Sequence, residues 1–160
     1  MAYSSDGRLF SAGRAGEITR LIINVPPRSL KSICASVVFP AWLLGRNPST
    51  KIIVASYNNH LSYKHALDCR HLIRSDFYRN IFPDMLISDD QDQKYKFITS
   101  KRGSRFSTSI SGTITGEGGN ILIVDDPHNA LDIHSQTKRQ KFIVGSGKVF
   151  LRVLMIRKKE

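Results

Sequence analysis

The sequence predicts an α/β fold built on a mainly parallel central sheet. Apolar runs of strand length alternate with helically spaced segments, and the strongest runs are apolar at every position, as strands covered on both faces are. Size agrees: 160 residues, 41% of them apolar, can bury one substantial core. Arg20-Leu21-Ile22-Ile23-Asn24-Val25, cut off by Pro26-Pro27, reads as a buried strand. Ile33 to Leu44 is apolar nearly all round and reads as a buried helix that Pro40 kinks or breaks, with Gly45 at its stop. Lys51-Ile52-Ile53-Val54-Ala55 is a second strand, turning at Ser56-Tyr57-Asn58-Asn59, where Asn58 or Asn59 caps the next helix. On that helix Ala66, Cys69, Leu72 and Ile73 share one face, with Lys64, Arg70 and Arg74 largely off it. Ser88 to Lys94 is acidic and polar and reads as a loop. Tyr95 to Thr99 and Arg105 to Ile110 read as shorter strands joined by Lys101-Arg102-Gly103, a hairpin. The glycine-rich stretch Gly112 to Gly119 leads into Ile121-Leu122-Ile123-Val124, the most apolar run of strand length, which ends in Asp125-Asp126-Pro127. Leu131 to Phe142 reads as a final helix.

Composition narrows the function. No apolar run approaches the roughly 18 residues of a membrane span, and Met1 to Phe10 holds no signal-peptide core. Cys34 and Cys69 make neither a disulfide framework nor a CxxC knuckle, and both are expected to be reduced and buried. The five histidines show no metal-ligand spacing and are expected in surface or packing roles. Lys and Arg number 24 against 13 Asp and Glu, a net charge of +11, which fits a polyanionic partner. Much of that excess lies from Lys138 onward, with eight basic residues and one acidic. Lys101, Arg102 and Arg105 are candidates for phosphate-backbone contact, although a solvated hairpin accounts for them as well.

Two motifs carry chemistry. Pro26-Pro27-Arg28-Ser29-Leu30-Lys31-Ser32 stands between a strand and a helix, the setting of a phosphate-binding loop. Lys31 supplies a point charge for the β- and γ-phosphates, and the Ser32 hydroxyl a ligand for Mg²⁺. At the tip of the apolar strand, Asp125 is placed to hold the metal's water shell and Asp126 to orient or deprotonate an attacking water. Val25 and Leu30 occupy the two glycine positions of the usual pattern, so Leu30 is expected at negative φ with its side chain turned away. Pro127 pushes Asp126 out of helical angles.

From Gly16 to Phe142 the sequence resembles the ATPase domain of the large terminase subunit, the DNA-packaging motor of tailed phages. The residues that carry the resemblance are Arg20 to Ser32 with its Pro-Pro-Arg and Lys-Ser, Ala41-Trp42-Leu43-Leu44-Gly45, Val54-Ala55-Ser56-Tyr57, Gly116-Glu117-Gly118-Gly119, Asp125-Asp126-Pro127-His128, and Ser135 with Arg139. The Pro-Pro-Arg loop is a deviant Walker A typical of that family. The resemblance implies a P-loop NTPase three-layer fold, incomplete at the C-terminus, with ATP and Mg²⁺ as cofactors. It implies phosphate binding by Arg28, Ser29, Leu30, Lys31 and Ser32, Mg²⁺ shared by Ser32 and Asp125, and Asp126 as the catalytic carboxylate. It also implies double-stranded DNA, the small terminase subunit and the portal as partners, oligomerisation only in the full-length family, and the cytoplasm of a bacterial host as location.

The resemblance stops near Phe142, and residues 1–142 are read as a partial P-loop ATPase domain of terminase type. The family's coupling motif and RNase H-like nuclease domain are not expected in a chain of this length. Residues 143–160 form a basic tail that matches nothing in the family; one reading is a frameshift product of a decaying prophage gene, which the nucleotide sequence tests. Two other functions fit the same text: a non-catalytic basic nucleic-acid-binding fragment, and a helicase-like P-loop ATPase, against which the Pro-Pro-Arg loop argues.

Overall fold

A computed structural model describes residues 20–26, 28–110, 117–126 and 152–158. Among the described residues seven strands form one sheet: β1 (Arg20–Val25), β2 (Lys51–Ser56), β3 (Ile87–Gln93), β4 (Lys96–Thr99), β5 (Ser104–Ser109), β6 (Ile121–Asp125) and β7 (Arg152–Lys158). Their spatial order is β1-β7-β6-β2-β5-β4-β3. The first five of that order run parallel, and β4 and β3 continue antiparallel at one edge. The carboxyl ends of β1, β2, β5, β6 and β7 therefore share one rim, where open α/β sheets place ligands. The predicted helix over 131–142 and the opening segment lie outside the described residues.

Alternation on the strands sorts two cores. Ile52, Val54, Ile121 and Ile123 point to one face and join Val37, Leu43, Leu44, Cys69, Ile73 and Phe97. Ile53, Ala55, Leu122 and Val124 point to the other, with Phe106 and Ile110 against them. Each such fully buried aliphatic side chain contributes about 1.5–3 kcal/mol. The helices pack on the first face. A short helix α1 (Lys31–Ile33), a π-helical turn (Cys34–Val38) and α2 (Phe39–Arg46) follow one another through junctions that all keep right-handed helical angles. Pro40 does not break this run. It stands at the start of α2, where a missing N–H matters least, and the wider π turn precedes it. In helix α3 (Asn59–Arg74) the Asn58 side chain accepts from the Leu61 N–H at 2.9 Å, the expected cap. Helix α4 (Asp76–Ile81), not foreseen from the sequence, is capped by Ser75 and anchored by the Tyr78 hydroxyl, which donates to the Ala41 carbonyl at 2.8 Å.

Several expectations need correction. Ser88 to Lys94 is not a loop: most of it is strand β3, an edge strand that tolerates charge. Its Asp92 receives the Arg70 Nε at 2.6 Å and also pairs with Arg74. Arg70 accordingly lies buried rather than off the apolar face, with its guanidinium stacked 5.5 Å above the Phe97 ring. Cys34 is exposed; only Cys69 is buried, and burial pushes its thiol pKa up. The β4–β5 hairpin forms as expected, but it folds tightly onto the segment before β2. A Cβ on Gly103 would meet the Pro48 carbonyl oxygen at 2.0 Å and that of Thr50 at 2.7 Å. Gly103→Ala is expected to cost about 2–3 kcal/mol and to lower Tm by about 5–10 °C in a thermal melt. An unchanged Tm would show that the hairpin does not hold this close approach.

Candidate functional site

The loop between β1 and α1 rises at the common rim of the parallel strands. Two of its residues adopt left-handed angles: Arg28 at φ 62° and Leu30 at φ 57°. This corrects the expected negative φ of Leu30. The loop keeps the backbone a glycine would take, although a leucine occupies the position. Alternating angles of this kind turn successive N–H groups toward a common concavity suited to anions. The Leu30 side chain projects outward and is 64% exposed, so it contributes little burial in return for its strained backbone. Leu30→Gly is therefore expected to stabilise the fold by about 0.5–1 kcal/mol, a gain of roughly 1–4 °C in Tm. A fall in Tm would instead assign the Leu30 side chain a packing role. Arg28 and Ser29 are exposed, and the Ser29 hydroxyl donates to the Pro26 carbonyl at 2.7 Å, tying the loop to the end of β1.

Asp125 closes strand β6. That strand is not the neighbour of β1, because β7 pairs with both. Two strand spacings, about 10 Å, separate the loop's strand from the carboxylates. Lys31 spans that gap. Its Nζ pairs with Asp126 Oδ1 and stands 3.8 Å from Asp125 Oδ1, with Asp125 fully buried and the lysine partly so. Asp126 follows at φ 46°, left-handed, which turns it off the strand direction toward the lysine. The lysine and the twin carboxylates, 95 residues apart in sequence, thus meet at one point of the rim.

Ser32 is half-buried in the first helical turn, and among the described residues its hydroxyl makes no hydrogen bond. The hydroxyl that reaches Asp125 belongs to Ser36, one turn further on, donating to Oδ2 at 3.0 Å. Sequence reasoning missed Ser36, because the phosphate-loop pattern directs attention to the residue after the lysine. It also missed His65, whose Nδ1 lies 3.8 Å from Asp125 Oδ2. Helical spacing was the available signal, since His65 precedes Ala66 and Cys69 on the inward face of α3. Arg105, a candidate for phosphate contact, is fully buried and cannot meet a backbone phosphate. Its guanidinium donates to the Ser36 carbonyl at 2.8 Å and to the Ser107 hydroxyl. Pro40 has no N–H to offer that carbonyl four residues back, and Arg105 takes its place. Lys101 and Arg102 are exposed at the hairpin tip, as expected. Glu117, in the glycine-rich segment, is held by Lys96 at 2.8 Å.

The donor set suits a hard cation that keeps most of its water. Asp125 Oδ1 is buried without a hydrogen-bond partner, and two carboxylates at one point are what Mg²⁺ uses alongside phosphate oxygens. Among the described residues no group of three or more His, Cys, Asp or Glu forms a closed metal cage. No helix there is long and apolar enough to cross a membrane.

No family model and no curated protein matches the chain. Among solved structures, the crystal structure of the HK97 bacteriophage large terminase matches with a TM-score of 0.61 and 13% identity, over 98% of this chain and 33% of that one. The chain spans about a third of that protein's length, and the likeness is one of fold. A mixed α/β architecture with parallel central strands is thus common to this chain and a phage large terminase.

Proposed function

We propose that the chain is the ATP-binding part of a DNA-packaging motor of the large-terminase kind. One observation carries the reading: Lys31 leaves a left-handed loop at the end of β1 and reaches across β7 to Asp125 and Asp126. A lysine, a strained anion-facing loop and paired carboxylates at the rim of a parallel sheet are the parts that phosphoryl transfer requires. The terminase-like fold agrees.

In this reading Lys31 exchanges its carboxylate partners for the β- and γ-phosphate oxygens, and the loop's N–H groups cradle the chain of phosphates. Arg28, exposed on the same loop, adds a forked contact. Asp126, released from the lysine, accepts the proton of the attacking water. Asp125 holds the cation, with Ser32 as the second protein ligand that the resemblance implies. Mg²⁺ when bound would neutralise charge on the transferred group. Double-stranded DNA is the translocated partner, with the small subunit and portal following from the same family likeness.

The test is equilibrium binding of a fluorescent ATP analogue to the full chain, with and without Mg²⁺, and Lys31→Ala as control. Binding that requires Lys31 supports the reading. The net charge of +11 favours a second reading, a basic nucleic-acid-binding fragment indifferent to ATP. That alternative predicts DNA binding that weakens steeply with salt and ignores the Lys31 substitution.

A further inference from the structure

The two oxygens of Asp125 have different surroundings. Oδ1 is on the lysine side, 3.8 Å from the Lys31 Nζ, and has no hydrogen-bond partner. Oδ2 faces inward, accepts from the Ser36 hydroxyl at 3.0 Å and lies 3.8 Å from the Nδ1 of His65. His65 comes from α3, which packs across the π turn that carries Ser36. Its ring is buried, and Nδ1 lacks a hydrogen-bond partner. The hydroxyl of Ser56, the register partner of Asp125 on β2, is likewise buried without one. Three polar atoms of Asp125 and its neighbours are thus buried without a hydrogen-bond partner, and each such group costs about 1–3 kcal/mol.

A nitrogen lone pair pointed at a carboxylate oxygen is repulsive, so the nitrogen facing Oδ2 is the one that carries the proton. At 3.8 Å the contact is too long for a direct hydrogen bond. A sub-ångström approach, or one water shared with the Ser56 hydroxyl, completes it.

We propose that His65 is a positioning residue for Asp125: as the Nδ1–H tautomer it holds Oδ2 together with Ser36, and so presents Oδ1 to the cation. The proposal rests on the phosphate-site reading above for its purpose, but its geometry belongs to the nucleotide-free chain. A histidine that orients a metal-binding carboxylate in this way affects cation affinity rather than nucleotide affinity.

Two measurements test it. A two-bond proton–nitrogen correlation spectrum of the nitrogen-labelled full chain, with His65 assigned by its loss in His65→Asn, reads the tautomer directly. The Nδ1–H form is expected, and the Nε2–H form overturns the proposal whether or not ATP binds. Binding of the fluorescent ATP analogue is then followed against Mg²⁺ for His65→Leu and His65→Asn. The leucine variant is expected to bind nucleotide without metal as the unsubstituted chain does, yet to need about tenfold more Mg²⁺ for the metal-dependent gain. The asparagine variant, whose amide N–H stands near the position of Nδ1, is expected to recover most of that loss. Equal Mg²⁺ requirements in the two variants would reduce His65 to a packing residue. Failure of the unsubstituted chain to bind the analogue at all would count against the phosphate site and leave the tautomer result standing.

Discussion

Replacing Lys31 by alanine is expected to weaken binding of a fluorescent ATP analogue by at least about tenfold, the loss of one charge-assisted contact. It is also expected to destabilise the nucleotide-free protein. Lys31 is the cation between two carboxylates, one fully buried and the other largely so. Without it the paired negative charges face each other in a poorly hydrated place, and removing one partner of a buried pair costs about 3–5 kcal/mol. Part of Asp126 is solvated, so about 2–3 kcal/mol is the expected loss here, a fall in Tm of roughly 5–10 °C. Lys31→Arg separates the two effects. It keeps the charge and should recover most of the stability, but a planar guanidinium does not replace a compact ammonium among phosphate oxygens. An alanine variant that melts lower yet binds the analogue normally would confirm the ion pairs and defeat the phosphate site.

Arg105 carries the second large effect. Among the described residues it is the bulkiest completely buried side chain, and no carboxylate there comes within ion-pairing reach. Desolvation lowers its pKa accordingly. Arg105→Ala removes that volume beneath the π turn and strips the Ser36 carbonyl of its donor, in place of the one Pro40 cannot supply. A cavity and an unpaired buried carbonyl together are expected to cost about 3 kcal/mol, or roughly 6–12 °C in Tm. Arg105→Met fills most of the stem's space and removes a buried charge, so its cost is expected to be about 1 kcal/mol or less. Thermal melts of both variants decide the matter. If methionine proves as damaging as alanine, the guanidinium's hydrogen bonds, and not its bulk, hold the turn.

The apolar strands and the capped helix were legible because their causes are local. Ile52 to Ala55 and Ile121 to Val124 are buried runs whose composition alone excludes other fates, and Asn58 caps the following helix through a bond three residues away. The lysine-serine loop and the twin aspartates were legible for a similar reason, since each motif is contiguous. Strand β3 was not. Its Asp92 belongs in a sheet only because Arg70 and Arg74, some twenty residues earlier on α3, neutralise it. Arg105 was misread for the same cause: exposure is assumed for a charged residue until a partner, here the Ser36 carbonyl 69 positions back, is known. Leu30 shows the limit from the other side. Residue preference favours negative φ, and the loop's attachment at both ends overrides it.

By itself the sequence determined the apolar strands, though not β3 or β7, where phosphate chemistry was worth seeking, and which two motifs had to meet. Tertiary structure alone decided that β7 stands between them, that the bridging hydroxyl is Ser36, and that a histidine and an arginine lie beneath the carboxylate. The reason is physical. Burial and hydrogen bonding at a site depend on groups brought together from distant parts of the chain, and no local pattern records which of them will arrive.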